Sequence, residues 1–148
     1  MKKIAILIAL MTLTLILSAC NNSTVTMDNI DEYLDQENTM YVDIRNYDEI
    51  NETGYIEGFT ILPLYDLFEV EGIIIRSNGY TFTPNDIWKP DTLRSYFDED
   101  KTIYIMCRSG NRAEYFVSVL KYLGYEDVHN IGGIIDYKGD HLIRETIE

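Results

Sequence analysis

The sequence predicts an α/β domain built on a mainly parallel sheet. Two observations carry this. Short apolar runs of strand character alternate along the chain with segments whose apolar residues recur at helical spacing. One run, residues 102–106, passes straight into a tight polar loop and then into a helix with a single apolar face, the arrangement of a parallel strand feeding a crossover. With 148 residues, 46% hydrophobic and 25% charged, the chain suits one ordinary globular domain.

The chain opens with Lys2 and Lys3 and a mostly apolar run over residues 4–17. That run is shorter than the roughly 20 residues needed to span a bilayer and fits the centre of an export signal. Leu17-Ser18-Ala19-Cys20 follows, then Asn21, Asn22 and Ser23. This resembles the lipobox of bacterial lipoproteins, in which the Cys is acylated and becomes the new N-terminus. The resemblance implies a signal peptide over residues 1–19, lipidation of Cys20 with a tether to residue 25, and a domain over residues 26–148. It also implies anchoring at the extracytoplasmic face of a bacterial membrane, since two or three acyl chains hold stably where one is marginal. The alternative is an ordinary signal peptide, or an uncleaved anchor, with Cys20 incidental.

Beyond the tether, Met27, Ile30, Tyr33 and Leu34 have helical spacing, and Thr26 or Asp28 can cap the start. Residues 40–45 read as a buried strand ending in charge. Residues 46–52 form a helical turn or two, stopped by Gly54. Residues 59–62 make a second strand closed by Pro63, and residues 65–69 a brief helical stretch. In residues 72–83, Ile73 to Ile75 and Tyr80 to Phe82 flank Ser77-Asn78-Gly79, and Asn-Gly favours a tight turn, so the segment predicts an inserted β-hairpin. Pro84 and Pro90 bracket a loop with the sole tryptophan, Trp88, and residues 92–97 form a short helix. Ala113, Phe116, Val117, Val119, Leu120 and Leu123 line one face of the helix that ends at Gly124. Residues 127–131 are a further strand, followed by Gly132-Gly133 and a last helix through Tyr137. No internal repeat is present.

The formal charge of −13 becomes about −15 once Lys2 and Lys3 leave with a signal segment. Such a surface repels phosphate backbones, which excludes nucleic acid as a natural partner. An anionic substrate has to be drawn in by a local cation. The two cysteines, Cys20 and Cys107, lie in unlike contexts, so no disulfide framework is expected. His129 and His141 stand apart from each other and from both cysteines, which gives no support for a metal site. With Cys20 acylated, Cys107 is the remaining thiol of an exported protein, either buried and inert or retained for reactivity.

Cys107-Arg108-Ser109-Gly110-Asn111-Arg112 joins the strand to the helix. In such a loop the backbone N–H groups at the helix start point inward, and the helix dipole adds partial positive charge. A Cys at its head is stabilised as thiolate. Charge-assisted hydrogen bonds are worth ~1.5–3 kcal/mol each, so two or three amides suffice to favour the anion. Arg108 and Arg112 act in the same direction.

These residues and their surroundings resemble the rhodanese family. Cys107 to Arg112 is similar to its six-residue active-site loop, and Asp43-Ile44-Arg45 to its strand ending in Asp-x-Arg. Gly54-Tyr55-Ile56-Glu57-Gly58-Phe59 through Leu62-Pro63 is similar to its Gly-His-Ile-x-Gly-Ala…Ile-Pro segment. Leu123-Gly124-Tyr125, Val128, Ile131 and Gly132-Gly133 are similar to its closing signature. The resemblance spans residues 25–140. Tyr55, Phe59 and Tyr137 depart from the usual His, small residue and Trp, and residues 72–83 are extra.

The resemblance implies a parallel sheet with helices on both faces and a sulfurtransferase that needs no cofactor. Cys107 would take sulfane sulfur from thiosulfate, a polysulfide or a persulfide and pass it to cyanide or a thiol. Arg108, Ser109, Gly110, Asn111 and Arg112 would bind the substrate, with Asp43 and Arg45 as structural support. Arg112 can bind an anion or pair with a carboxylate such as Asp43, and the sequence leaves both open. A Cys-dependent phosphatase or arsenate reductase is a competing reading. Four residues separate Cys107 from Arg112 where the tyrosine-phosphatase type has five, and the shorter loop suits a single sulfur better than a tetrahedral oxyanion. A non-enzymatic sulfur carrier, sensor or partner-binding module is another alternative.

Overall fold

The computed structural model describes residues 24–147. The expected signal peptide and the lipidation at Cys20 lie outside the described residues. Within them, no helix is long and apolar enough to cross a membrane.

Strand β1 (Thr39–Asp43) leads to helix α1 (Tyr47–Thr53), the short strands β2 (Tyr55–Ile56) and β3 (Thr60–Ile61), and a π-type turn, Leu64–Glu69. After the extra segment come α2 (Pro90–Arg94), β4 (Thr102–Cys107), α3 (Asn111–Tyr122), β5 (Val128–Gly133) and β6 (Leu142–Ile143). The sheet has the order β3-β1-β4-β5, and all three pairings are parallel. β2 and β6 form a separate antiparallel ribbon. The predicted α/β class and parallel sheet are what the chain adopts.

Residues of β4 alternate between two cores. Ile103 and Ile105 pack with Val42, Phe116 and Leu120 on one side, under α3. Met106 packs on the other with Met27, Ile30, Tyr41, Phe59 and Ile131. Both faces of the sheet are therefore covered, and the continuous apolar run of β4 is the sequence signature of that. A fully buried side chain such as Phe116 contributes about 1.5–3 kcal/mol by leaving water. The second face is closed by 3₁₀ turns at Ile30–Glu32 and Ile134–Asp136 and by the β2–β6 ribbon.

Three expectations need correction. The last helix, expected after Gly132-Gly133 through Tyr137, is only the 3₁₀ turn Ile134–Asp136. The helix expected from residue 26 onward shrinks to the 3₁₀ turn Ile30–Glu32. The Thr26 amide donates to Asn29 Oδ1 at 2.8 Å, and the Met27 amide reaches Ile131 O at 2.9 Å, so the first donors serve a turn and a sheet neighbour. The hairpin of residues 72–83 forms no ladder, and the only pairing there is a single antiparallel bridge, Ile74 to Ile87. Its organising group is the fully buried Asp86 carboxylate. That carboxylate accepts from the Ser77 hydroxyl at 2.6 Å, the Thr83 hydroxyl at 2.8 Å, both of their amides at 3.2 Å, and Tyr115 Oη at 3.1 Å. One side chain thus replaces the cross-strand bonds that Asn78-Gly79 suggested.

Candidate active site

β4 ends at Cys107, opposite Gly133 of β5. The chain then turns through Arg108, Ser109 and Gly110 into α3. Gly110, at φ 93°, occupies the left-handed region that L side chains avoid, and this bend brings its amide back over the strand end. The Gly110 N–H donates to Cys107 Sγ at 3.1 Å. The donor to the sulfur is a backbone amide at a helix start, not a side-chain base, and the dipole of the twelve-residue α3 points the same way. Cys107 is 1% exposed, so its sulfur lies inside the loop and any partner has to come to the rim.

β5 and the 3₁₀ turn after it hold the loop from the side. The Ile135 amide donates to Arg108 O at 3.3 Å. Asn130 Nδ2 donates to Gly110 O at 3.2 Å and to Glu114 Oε2 at 3.0 Å, while Asn130 Oδ1 accepts from the Gly132 amide. A methyl group at Gly133 would stand 2.2 Å from Arg108 O and 2.5 Å from Ser109 Cα, so the loop can lie on β5 only because residue 133 has no side chain. The Gly132-Gly133 pair is thus part of the loop's support and not only a turn.

The structure brings all six predicted loop residues together and separates their roles. Arg108, Ser109 and Asn111 are exposed at the rim, and among the described residues the Arg108 guanidinium makes no ion pair. Arg112 is engaged. Its Nη1 and Nη2 each lie 2.5 Å from an oxygen of Glu49. Burial works against the charge on both partners, but their mutual hydrogen bonds and attraction prevail. The Glu49 carboxyl is held below its ordinary range and Arg112 above its own. Asp43 is not the partner of Arg112, because Arg45 already holds it.

Asp43 and Arg45 are both fully buried, with Arg45 Nη2 2.6 Å from Asp43 Oδ2. Arg45 also donates to Thr53 Oγ1 at 2.6 Å and Gly54 O at 2.8 Å, tying the end of β1 to the end of α1. Burial raises the Asp43 carboxyl, with Arg45 pulling it the other way. Ile44 between them donates to Met106 O, next to Cys107. The pair thus joins the end of β1 to α1 beside the strand that leads to Cys107.

Two clefts open at the loop and share Arg108 and Glu49. One, about 360 Å³, is walled by Tyr80, Ser109, Asn111 and Arg112. The other, about 120 Å³, is walled by Arg45, Glu52, Thr53, Ile134 and Ile135. A groove of about 500 Å³ runs along β5 and α3 past Tyr104, Lys121 and His129, and none of residues 107–112 lines it. Glu49, Asn130, Tyr80 and Ile135 were not legible in the sequence as site residues. The one local signal for Glu49 is its place three residues after Asn46, whose amide it accepts at 3.1 Å as in a capping box.

The family model of the rhodanese-like domain matches residues 26–140. A curated tRNA uridine(34) hydroxylase of Prochlorococcus marinus is 28% identical over 113 residues, covering 74% of this chain and 31% of that protein. The chain therefore spans about a third of the length of that relative. Among solved structures, a rhodanese-like domain protein of Staphylococcus aureus superposes with a TM-score of 0.55 at 24% identity, covering 82% of this chain and 96% of that one. A Staphylococcus saprophyticus protein gives 0.55 at 24% identity, over 82% and 98%. A single-domain sulfurtransferase of Saccharomyces cerevisiae gives 0.50 at 15% identity, over 78% and 89%. At these identities the structures establish the likeness of fold.

Proposed function

The chain belongs to the rhodanese-like domain family, and from that premise we propose that it transfers sulfane sulfur through a persulfide on Cys107. The observation that carries the reading is the Gly110 amide, 3.1 Å from Cys107 Sγ at the head of α3. An amide aimed at the sulfur in this way is a donor for the negative charge that a persulfide cycle places there, first on Cys107 and then on the outer sulfur. The thiolate attacks the outer sulfur of a donor such as thiosulfate, a polysulfide or a persulfide. The donor's S–S bond breaks and its electron pair leaves with the remaining anion. A thiol or cyanide then takes the outer sulfur and returns Cys107 to thiolate. Both nucleophile and leaving group are anions, so the cycle needs neither a general base nor a cofactor.

In this reading Arg108, the uncommitted cation at the rim, draws in an anionic donor. Ser109, Gly110 and Asn111 shape the cradle. Arg112 positions the loop through Glu49. We further propose that the protein acts at the extracytoplasmic face of a bacterial membrane, held by acyl chains on Cys20. The tRNA named for the curated relative is not carried over, because a formal charge of −13 opposes nucleic acid.

The test is direct. Incubated with thiosulfate or a polysulfide, the protein gains one sulfur atom by mass spectrometry, and Cys107→Ser gains none. A wild-type protein left unmodified by both donors overturns the catalytic reading.

A further inference from the structure

The segment of residues 72–83 places one side chain at the mouth of the loop. Tyr80 walls the larger cleft together with Arg108, Ser109, Asn111 and Arg112, although it lies in the part of the chain that departs from the family pattern. Its position is fixed from two sides. The Arg76 guanidinium sits 4.6 Å from its ring centre and is itself ion-paired to Glu69, and Tyr115 of α3 meets it edge-on at 6.5 Å. Tyr115 in turn bonds Asp86, the group around which the segment is folded. The ring remains 46% exposed, so part of it is open to a ligand.

The charges at the mouth complete the picture. Of the two arginines in this cleft, Arg112 is neutralised by Glu49, which leaves Arg108 as the cation without an ion pair among the described residues. Glu52 and the exposed Ile135 line the adjoining cleft. One free guanidinium, a nearby carboxylate and two apolar surfaces suit a donor that brings one negative charge and carbon atoms. They suit a small inorganic dianion poorly, since half its charge goes unmatched in a strongly acidic protein.

Building on the sulfur-transfer reading, we propose that Tyr80 is a specificity-determining residue and that the donor it selects is an organic persulfide rather than thiosulfate. The carbon skeleton packs on the Tyr80 ring while Arg108 takes the negative charge. In the step itself, Cys107 Sγ forms a bond to the outer sulfur of R–S–SH. The donor's S–S bond breaks, its electron pair leaves on R–S⁻, and the proton stays with the transferred sulfur as Cys107–S–SH. No external oxidant or reductant is required.

The experiment compares cysteine persulfide with thiosulfate as donors to the whole protein, following transfer to a common thiol acceptor with Cys107→Ser as background. The wild type is expected to show a kcat/KM about tenfold or more higher for cysteine persulfide. Tyr80→Ala lowers that value about tenfold, mainly through KM, and leaves the thiosulfate value within about twofold, while Tyr80→Phe keeps the preference. Equal loss for both donors, no change for either, or a wild-type preference for thiosulfate overturns the assignment of Tyr80. Failure of both donors to load Cys107 in the wild type sinks the sulfur-transfer reading itself, and the selection by Tyr80 with it.

Discussion

Arg112 and Glu49 meet as fork on fork, each guanidinium nitrogen 2.5 Å from its own carboxylate oxygen, across 63 residues of chain. The pair joins the first turn of α3 to α1, so one end of the reactive loop is anchored to the opposite wall of its own clefts. It also consumes a positive charge that the loop would otherwise present to an anion. Position and charge are therefore set by the same contact, and they can be separated by removing the carboxylate's charge while keeping its shape.

Glu49→Gln does this. Arg112 then faces an amide instead of an anion, and the cleft gains one unit of uncompensated positive charge. The expected result is a KM for thiosulfate several-fold lower than in the wild type, measured by steady-state kinetics. The folded state loses about 1 kcal/mol in urea unfolding, as for a partly exposed pair. An unchanged or higher KM would show that Arg112 lies outside the reach of the donor.

How much of this was legible in the sequence follows from how contacts are distributed along the chain. The loop was readable because Cys107 to Arg112 are contiguous and sit between a strand and a helix of clear periodicity. Asp43 and Arg45 were marked by their likeness to the family's Asp-x-Arg as structural support, but that they pair with each other, so that Asp43 is taken from Arg112, was not readable. Nor was the partner of Arg112, since the spacing from Asn46 marks Glu49 only as part of a helix start and not as the partner of an arginine 63 residues away. The extra segment misled through its turn chemistry. Asn78-Gly79 does turn, with the Thr81 amide donating to Asn78 O at 3.0 Å, but the buried carboxylate of Asp86 takes the Ser77 and Thr83 amides that a ladder would have used. Residues 26–34 carried a helical pattern of which Met27 and Ile30 are buried and Tyr33 and Leu34 half-buried on the sheet face they cover, and burial there did not require a full helix.

Gly133→Ala tests the support of the loop. The added methyl would lie 2.2 Å from Arg108 O, a backbone atom that can move only with the loop. The expected outcome is a folded protein whose rate of sulfur uptake at Cys107 falls by about 100-fold or more, because displacement of a reactive group by about 1 Å has that scale of effect. Circular dichroism and mass-spectrometric loading measured together separate loss of position from loss of fold. Wild-type loading in this variant would mean that the contact with β5 does not set the loop.

Asp43→Ala addresses the pair behind the site. Arg45 would keep its bonds to Thr53 and Gly54 but lose its counter-charge in a fully buried position. Leaving a buried charge unpaired costs about 3–5 kcal/mol, and the loss should register as a lower urea midpoint with an unchanged slope. Replacing both residues by apolar ones of similar volume should recover part of that loss, because the penalty comes from the orphaned guanidinium more than from the missing attraction. A double variant as unstable as the single one would assign the effect to packing instead.

Asp86 gives the fold a defined dependence on pH. Burial opposes its charge, but the hydrogen bonds from Ser77 and Thr83 outweigh this and hold the carboxyl at about 2, below its ordinary 3.8. A carboxyl held low in the folded protein stabilises it fully above the ordinary value, and the contribution is lost as pH falls through about 2. Asp86→Asn should therefore be less stable than the wild type by about 2 kcal/mol at neutral pH, with the gap closing between about pH 4 and pH 2. Urea unfolding of both proteins across that range measures the gap. Because Asp86 also accepts from Tyr115 of α3, the same substitution loosens the base on which Tyr80 stands. Its kinetic effect should follow that of Tyr80→Ala, raising KM for cysteine persulfide and sparing thiosulfate. A gap that stays constant down to pH 2 would mean that the shape of the side chain at residue 86, and not its charge, organises the segment.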